Sequence, residues 1–216
     1  LVENNPDSIG PILFADFEDG TYGKWVTTGT AFGKGPVTLA TKAEYQKDFR
    51  PHGKFFVNSH NVRKDPANAG TRLGDDQLGT LTSPHFRIER DFITFLVGGG
   101  AYKKETCVNL LIDGKVVLSA TGRSNNTMAE TSWDVRRWIG SEARFQVVDK
   151  RKGGWGNIGL DHIVFTNKNI FEGKNGKFSD TAYHAVGGLI RHGTEITAVA
   201  CSTVNSYNGL VPIVGG

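Results

Sequence analysis

The chain has 216 residues, of which 38% are hydrophobic and 22% are charged. This balance is typical of a soluble folded domain and argues against global disorder. The length suits one large domain with an appendage. The net charge of +3 is too small and too dispersed to indicate a nucleic-acid partner. No apolar stretch reaches the roughly 18 residues that a membrane-spanning helix needs, so we expect no transmembrane segment.

Residues 1–11 are rich in Asn, Pro, Asp and Gly and are predicted to form an extended N-terminal arm. From Ile12 to Phe165, short runs rich in Val, Ile, Phe and Thr alternate with Gly, Asp, Asn and Pro, a pattern that indicates short strands joined by turns. The predicted strands are Ile12–Phe17, Trp25–Thr28, Lys54–Asn58, Gly79–Ser83, Phe86–Ile88, Phe92–Val97, Thr106–Ile112, Lys115–Thr121, Thr131–Asp134, Ala143–Asp149 and Ile158–Phe165.

Asp113 and Gly114 separate two apolar runs and predict a hairpin, because both residue types tolerate the positive φ of a type I′ turn. Helical signals are scarce: one or two turns are predicted over Trp133–Gly140, with Ser132 as the N-cap. Strands do not alternate with long helices, which argues against a parallel α/β sheet. The predicted fold class is therefore all-β, an antiparallel β-sandwich of the jelly-roll type covering residues 12–166.

The composition changes after Phe165. Residues 167–180 are polar and are predicted to be a linker or long loop, whereas residues 181–216 are Gly-rich, poor in charge and strand-like. The alternation of Ile196, Ala198 and Ala200 favours a strand within this segment. A segment so apolar is expected to pack on the sandwich or on another chain.

Three acids are candidate metal ligands: Asp16 and Glu18 flank Phe17 at the end of the first predicted strand, and Asp161 lies in the last one. The first and last strands of a jelly roll are often neighbours, so these carboxylates could converge on a structural Ca²⁺. Each acid could instead cap a turn or face solvent. Paired acids also suggest glycoside hydrolysis, but nothing in the sequence fixes their separation.

A second cluster suggests sugar binding. Arg72 and Asp75 lie in a polar stretch close in sequence to Asn58, and such side chains form hydrogen bonds with sugar hydroxyls. Trp155 is flanked by glycines, as expected for an exposed loop residue that stacks on a sugar ring. The alternative is that Trp155 closes the edge of the sandwich and that Asp75 belongs to a turn.

Six blocks of the sequence occur in the order of a known module: ADFEDGTYGKWVTTGTAFGKGPV, FVNSH, GTLTSPHFRIERDFITFLVGGG, TCVNLLIDGKVVLSATG, SWDV and GGWGNIGLDHIVF. Together they span about Ile12–Thr166. This part resembles the fructan-binding β-sandwich module appended to family 32 glycoside hydrolases such as levanases, and it is similar to domains of planctomycete-type exported proteins. Residues 1–10 and 167–216 lie outside the resemblance.

The resemblance implies a secreted or cell-surface module that binds carbohydrate without catalysis, since the catalytic propeller of the levanases is absent from this sequence. It assigns ligand contacts to Glu18, Asp19, Asp75 and Trp155, to which the polar cluster adds Arg72. The segment between FVNSH and GTLTSP is longer here than in the family.

The alternative hypothesis is a structural subunit of an extracellular assembly, in which residues 1–11 and 181–216 pair with strands of neighbouring copies. Two cysteines, Cys107 and Cys201, could form a disulfide or remain free thiols.

Overall fold

The computed structural model describes residues 10–42, 46, 48–60, 72–170, 189–192 and 195–198, with the main chain alone for Arg72, Leu73 and the residues beyond 170. In chain order the strands are β1 (Ile12–Ala15), β2 (Val26–Gly29), β3 (Val37–Thr38), β4 (Phe55–Asn58), β5 (Gly79–Thr82), β6 (Phe86–Arg87), β7 (Phe92–Gly99), β8 (Thr106–Ile112), β9 (Lys115–Ala120), β10 (Asn125–Asp134), β11 (Glu142–Asp149), β12 (Ile158–Thr166), β13 (Leu189–His192) and β14 (Glu195–Ala198). Short 3₁₀ turns cover Leu39–Thr41, Arg72–Asp76 and Arg136–Trp138.

Two six-stranded sheets are built from β1 to β12. The first has the order β10-β7-β12-β4-β3, with β1 also pairing with β12. The second has the order β2-β5-β11-β8-β9, with β6 also pairing with β11. The strand pairs of both sheets are antiparallel within the described part of the chain. The all-β sandwich expected from the sequence is therefore confirmed.

The two sheets enclose an aromatic core. Trp133 of β10 is fully buried and stacks on Phe145 of β11, with ring centroids 5.7 Å apart. Phe14 of β1 packs against Phe165 at 4.9 Å and against Phe145 at 5.8 Å, so rings from both sheets are in contact. Their burial is the main driving force that holds the layers together.

The expected helix over Trp133–Gly140 was wrong in its first half. Ser132 and Trp133 belong to β10, because the extended strand lets the large Trp133 ring be buried in the core. A 3₁₀ turn forms only at Arg136–Trp138. The expected hairpin at Asp113 and Gly114 is present: these residues have φ values of 50° and 71° and connect β8 to β9.

Strands β13 and β14 form a two-stranded antiparallel sheet of their own, and Ile196 and Ala198 lie on β14 as the alternation predicts. The linker, the N-terminal arm and the C-terminal segment were predicted on residues that lie mostly outside the described part. Cys201 also lies outside it, whereas Cys107 is a buried free thiol. Across the described residues, no helix is long and apolar enough to cross a membrane.

Candidate functional site

One edge of strand β12 pairs with two strands in succession, first with β4 and then with β1. Asp161 lies between these two pairings. Gly159 and Leu160 pair with β4, whereas Ile163 begins the stretch that pairs with β1. The fully buried Asp161 carboxylate accepts the N–H of His52 and the N–H of His162, each at 2.7 Å. These bonds satisfy main-chain donors that the break in pairing would otherwise leave unpartnered. We call Asp16, Glu18, His52, Asp161 and His162 the Asp161 junction.

Glu18 fastens the loop after β1 to the start of β4. Its Oε1 accepts the main-chain N–H groups of Lys54 and Phe55, both at 2.8 Å. Asp19 makes only local bonds, since its two oxygens accept the N–H and the hydroxyl of Thr21 at 2.9 and 3.0 Å. Both acids were predicted to contact a sugar, but here their oxygens hold the main chain and a neighbouring turn.

The three acids predicted to bind Ca²⁺ are within electrostatic reach of one another. Burial raises the pKa of Asp161 to about 7, and the charges of Glu18 and Asp16 add to this shift. However, oxygens of all three acids already accept main-chain N–H groups, with which a cation would compete. Among the described residues no group of three or more His, Cys, Asp or Glu side chains is arranged to hold a metal ion. The calcium site stays a prediction.

Replacing Glu18 with alanine should lower the free energy of unfolding by about 1–3 kcal/mol, because two main-chain donors lose a charged acceptor. Asp19→Ala is the matched control, since its bonds are local and exposed, and its loss should stay below about 1 kcal/mol. Urea denaturation measures both. Equal losses would contradict the role given to Glu18. Stabilisation by added Ca²⁺ that disappears in Glu18→Ala would support the calcium prediction.

At the other end of β4, a glycine-rich turn presents Trp155. The turn spans residues 153–156 and is closed by the Gly156 N–H, which donates to the Gly153 carbonyl at 2.8 Å. Trp155 has a φ of 63° and is 38% exposed. A bulky residue at positive φ is a backbone outlier that costs about 1–3 kcal/mol, and such strain clusters at ligand-binding positions.

The 3₁₀ turn Arg72–Asp76 packs against the Trp155 turn. The Gly153 N–H lies 3.1 Å from both the Asp75 carbonyl oxygen and Oδ1 of Asp76. Oδ1 of Asp75 is 2.6 Å from Nδ1 of the buried His60, which follows β4. Arg72 begins this turn, and its side chain lies outside the described part.

Beneath these loops lies a second fully buried acid, Asp149, at the end of β11. Its Oδ2 accepts the Ser59 hydroxyl at 2.6 Å and its Oδ1 accepts the Arg151 N–H at 3.2 Å. The Ser59 Oγ in turn accepts the Ile158 N–H at 2.8 Å. Burial raises the pKa of Asp149 to about 7; these hydrogen bonds oppose the shift, whereas the charge of Asp75 adds to it. We call Ser59, His60, Asp75, Asp149 and Trp155 the Trp155 loop site.

The five predicted ligand residues do not form one pocket. Asp75 and Trp155 are brought together by their packed turns, with Arg72 in the same 3₁₀ turn. Glu18 bonds to the start of β4, whereas His60 follows the other end of that strand. At about 3.3 Å per residue, the two positions are roughly 16 Å apart along the strand. A shallow depression of about 360 Å³ near Glu18 is lined by Thr21, Tyr22, Gly23, Trp25, Thr27, Gly33 and Lys34, and by none of the predicted ligands.

Sequence reasoning missed Asp149 and His52. Asp149 ends a strand ahead of a basic Gly-rich loop, where an acid usually faces solvent, and its pairing with Ser59 spans 90 positions. The contact of His52 with Asp161 spans 109. No local pattern indicates contacts over such separations.

Comparison with known proteins relates most of the chain to a fungal protein. In an alignment of 167 positions that covers 74% of this chain, it is 32% identical to a "Putative glycosyl hydrolase ecdE" of Aspergillus rugulosus. The chain spans only 22% of the length of that relative.

A different relationship holds at the C-terminus. Residues 162–214, starting within β12, match the family model described as the catalytic domain of glutamine synthetase. A 45-residue stretch is 51% identical to the glutamine synthetase of Pyrococcus abyssi, covering 21% of this chain and 10% of that enzyme. So short a match transfers no activity to this chain.

Among solved structures, the K2 cleaved adhesin domain of Lys-gingipain, a protein of Porphyromonas gingivalis, is similar with a TM-score of 0.45 and 15% identity, covering 73% of this chain and 99% of that one. A family 35 carbohydrate-binding module from Clostridium thermocellum has a TM-score of 0.39 and 12% identity, covering 73% and 99%. The chain is thus similar over most of its length to part of a fungal protein, and over residues 162–214 to part of glutamine synthetase.

Proposed function

We propose that the sandwich is a non-catalytic carbohydrate-binding module whose ligand contacts the Trp155 loop site. The observation that carries the proposal is the exposed indole of Trp155, held at positive φ by a turn that packs on the Asp75 turn. An indole face stacks on the C–H side of a sugar ring. Asp75 uses Oδ1 for His60, which leaves Oδ2 to accept a hydroxyl.

Binding fits the two acids of this site better than hydrolysis does. Asp149 is completely buried and accepts the Ser59 hydroxyl, and Asp75 is paired with His60. A glycosidase needs two carboxyl groups that face one glycosidic bond. The fungal relative is named a putative glycosyl hydrolase, and this chain corresponds to about a fifth of it, which supports an accessory role beside a catalytic unit.

Fructose-type chain ends are the proposed ligand, as the resemblance to the levanase module implies, and the proposed location is secreted or on the cell surface. An open site of this kind should bind with modest affinity, because few ligand atoms are desolvated.

The Trp155→Gly variant distinguishes the contribution of the Trp155 ring to binding from the cost of the strained backbone at this position. Glycine accepts positive φ, so relief of the backbone strain offsets part of the packing that is lost with the partly buried indole, and the variant should stay folded. It should nevertheless bind levan or inulin at least ~10-fold more weakly, which corresponds to about 1.4 kcal/mol. Affinity electrophoresis and calorimetry measure binding, and Trp155→Phe, which retains a ring, should lose less.

Two outcomes would reject the proposal. One is unchanged binding by Trp155→Gly. The other is a parent chain that binds none of levan, inulin, galactan and mannan at millimolar sugar.

A further inference from the structure

A polar row crosses the outer face of the second sheet. Gln146 of β11 is paired with Asn109 of β8, and Asn109 is paired with Ser119 of β9, so the three side chains lie side by side. Their sequence neighbours Val108 and Phe145 point to the opposite face and belong to the core. The row is therefore a ladder of two amides and a hydroxyl that faces away from the sandwich interior. Asn109 is only 7% exposed and forms the floor of this face, where its side chain and that of Ser119 also hydrogen-bond the Cys107 thiol.

This face is concave. Gln146, Asn109 and Ser119 line a groove of about 460 Å³ whose remaining wall includes Val116 and Val148. Val116 is 55% exposed, which gives the groove an apolar strip beside its hydrogen-bonding row. Hydroxyl-binding groups next to an apolar strip suit a sugar ring, which has polar edges and C–H faces.

Three lysines line the same groove. Lys103 and Lys104 lie in the turn before β8 and Lys150 directly follows β11, and the Lys150 N–H donates to the Glu105 carbonyl at 2.7 Å. None of the three ammonium groups forms an ion pair with a carboxylate among the described residues. The nearby Glu105 carboxylate bonds instead to Arg151, at 3.0 Å. The result is a groove with three positive charges and no acid in its lining.

The charges lie close to the polar row. Cys107 of β8 is two residues before Asn109, roughly 7 Å along the strand. Burial raises the pKa of the Cys107 thiol, and the positive charge of Lys150 opposes that shift, which places this charge within electrostatic reach of the groove floor. One or two sugar units would thus contact the lysines and the amides together.

We propose that this groove binds an acidic polysaccharide, with the lysines contacting its anionic groups and the Gln146–Asn109–Ser119 row contacting its hydroxyls. The anionic group is a uronate carboxylate or a sulfate ester. Nucleic acid fits less well, because binding to single strands relies on aromatic stacking, and no aromatic residue is in the lining. Lys150 and Trp155 lie in the same loop between β11 and β12, but none of the residues of the Trp155 loop site lines the groove. This proposal therefore rests on different side chains from the function proposed above.

Affinity electrophoresis of the full chain tests it with polygalacturonate, dextran sulfate, neutral dextran and single-stranded DNA. We expect retention by at least one acidic polysaccharide and not by neutral dextran. Lys103→Gln/Lys150→Gln should weaken this retention at least ~10-fold, whereas Lys24→Gln/Lys115→Gln, with the same loss of charge outside the groove lining, should not. Asn109→Ala/Gln146→Ala should weaken it as well, and Trp155→Gly should leave it unchanged.

The two acidic polymers distinguish carboxylate from sulfate, and retention by either supports the groove. The proposal is overturned if neither polymer is retained, if the two lysine pairs have equal effects, or if DNA is retained as strongly as the polysaccharides. Since the lysines are exposed, their substitution should leave thermal unfolding unchanged, so lost retention cannot be attributed to misfolding.

Discussion

Replacing Gly156 with alanine should weaken sugar binding at the Trp155 loop site at least ~10-fold while the sandwich stays folded. A Cβ on Gly156 would lie 2.4 Å from the Arg151 carbonyl oxygen, 2.6 Å from that of Asp75 and 2.8 Å from that of Gly153. All three are main-chain atoms, so no side-chain rotation relieves the overlap. The Trp155 turn must therefore move away from the Asp75 turn. The Trp155 ring and the Asp75 carboxylate are then no longer positioned to contact the same sugar.

Gly154→Ala is the matched control for this change. A Cβ on Gly154 meets nothing within 4 Å, and the residue does not have a positive φ. Its binding and thermal unfolding should therefore equal those of the parent. Gly156→Ala itself should lose about 1–3 kcal/mol of stability, the usual cost of overpacking. Calorimetric titration with the same glycan compares the three proteins. Equal binding by both variants would show that the packing of the two turns does not position the ligand contacts.

The strands could be predicted because their signals are local. β8 was predicted at its exact bounds, since its apolar run ends at the Asp113–Gly114 turn. β10 was predicted too short, because residues 125–130 are mostly polar and partly exposed, and the single buried Met128 among them gives no apolar alternation. β3 has only two residues and forms through pairing with β4, which a local pattern does not reveal.

The site was predictable only in part, for the same reason. The glycines around Trp155 indicate an exposed turn, and the structure has one. Glu18 looks like a ligand residue in the sequence, yet its carboxylate is bonded to main-chain N–H groups 36 and 37 positions away. Such an interaction exists only after β1 and β4 have both paired with β12, so it depends on the topology of the sheet rather than on neighbouring residues.

Stability should fall as the pH rises from about 4 to about 7, because two carboxyl groups are fully buried. Burial raises the pKa of both Asp149 and Asp161 to about 7, against about 3.9 in an unfolded chain. Between these values the folded state binds more protons than the unfolded state, so protonation stabilises the fold. This stabilisation is complete below about pH 4 and is lost as the pH rises through 7, by up to about 1.4 kcal/mol per pH unit for each group.

His162 opposes this trend at the Asp161 junction. Burial lowers its pKa and the neighbouring His52 lowers it further, so below about pH 6.5 it binds fewer protons in the folded state, and its contribution to stability rises with pH. Asp149 is the cleaner probe, since the groups that act on it are Ser59, Arg151 and Asp75. Asp149→Asn removes the titration and retains one oxygen that can accept the Arg151 N–H.

The parent should therefore lose stability relative to Asp149→Asn with every pH unit between about 4 and 7. Above about pH 7 the difference in their unfolding free energies should level off. Urea denaturation at pH 4.5, 5.5, 6.5 and 7.5 measures it. Asp113→Asn, in the exposed turn between β8 and β9 where asparagine also tolerates positive φ, should show no such drift. A difference that moves in favour of the parent as the pH rises would mean that Asp149 is ionised in the fold. The Ser59 hydroxyl and the Arg151 N–H would then outweigh the cost of burying its charge.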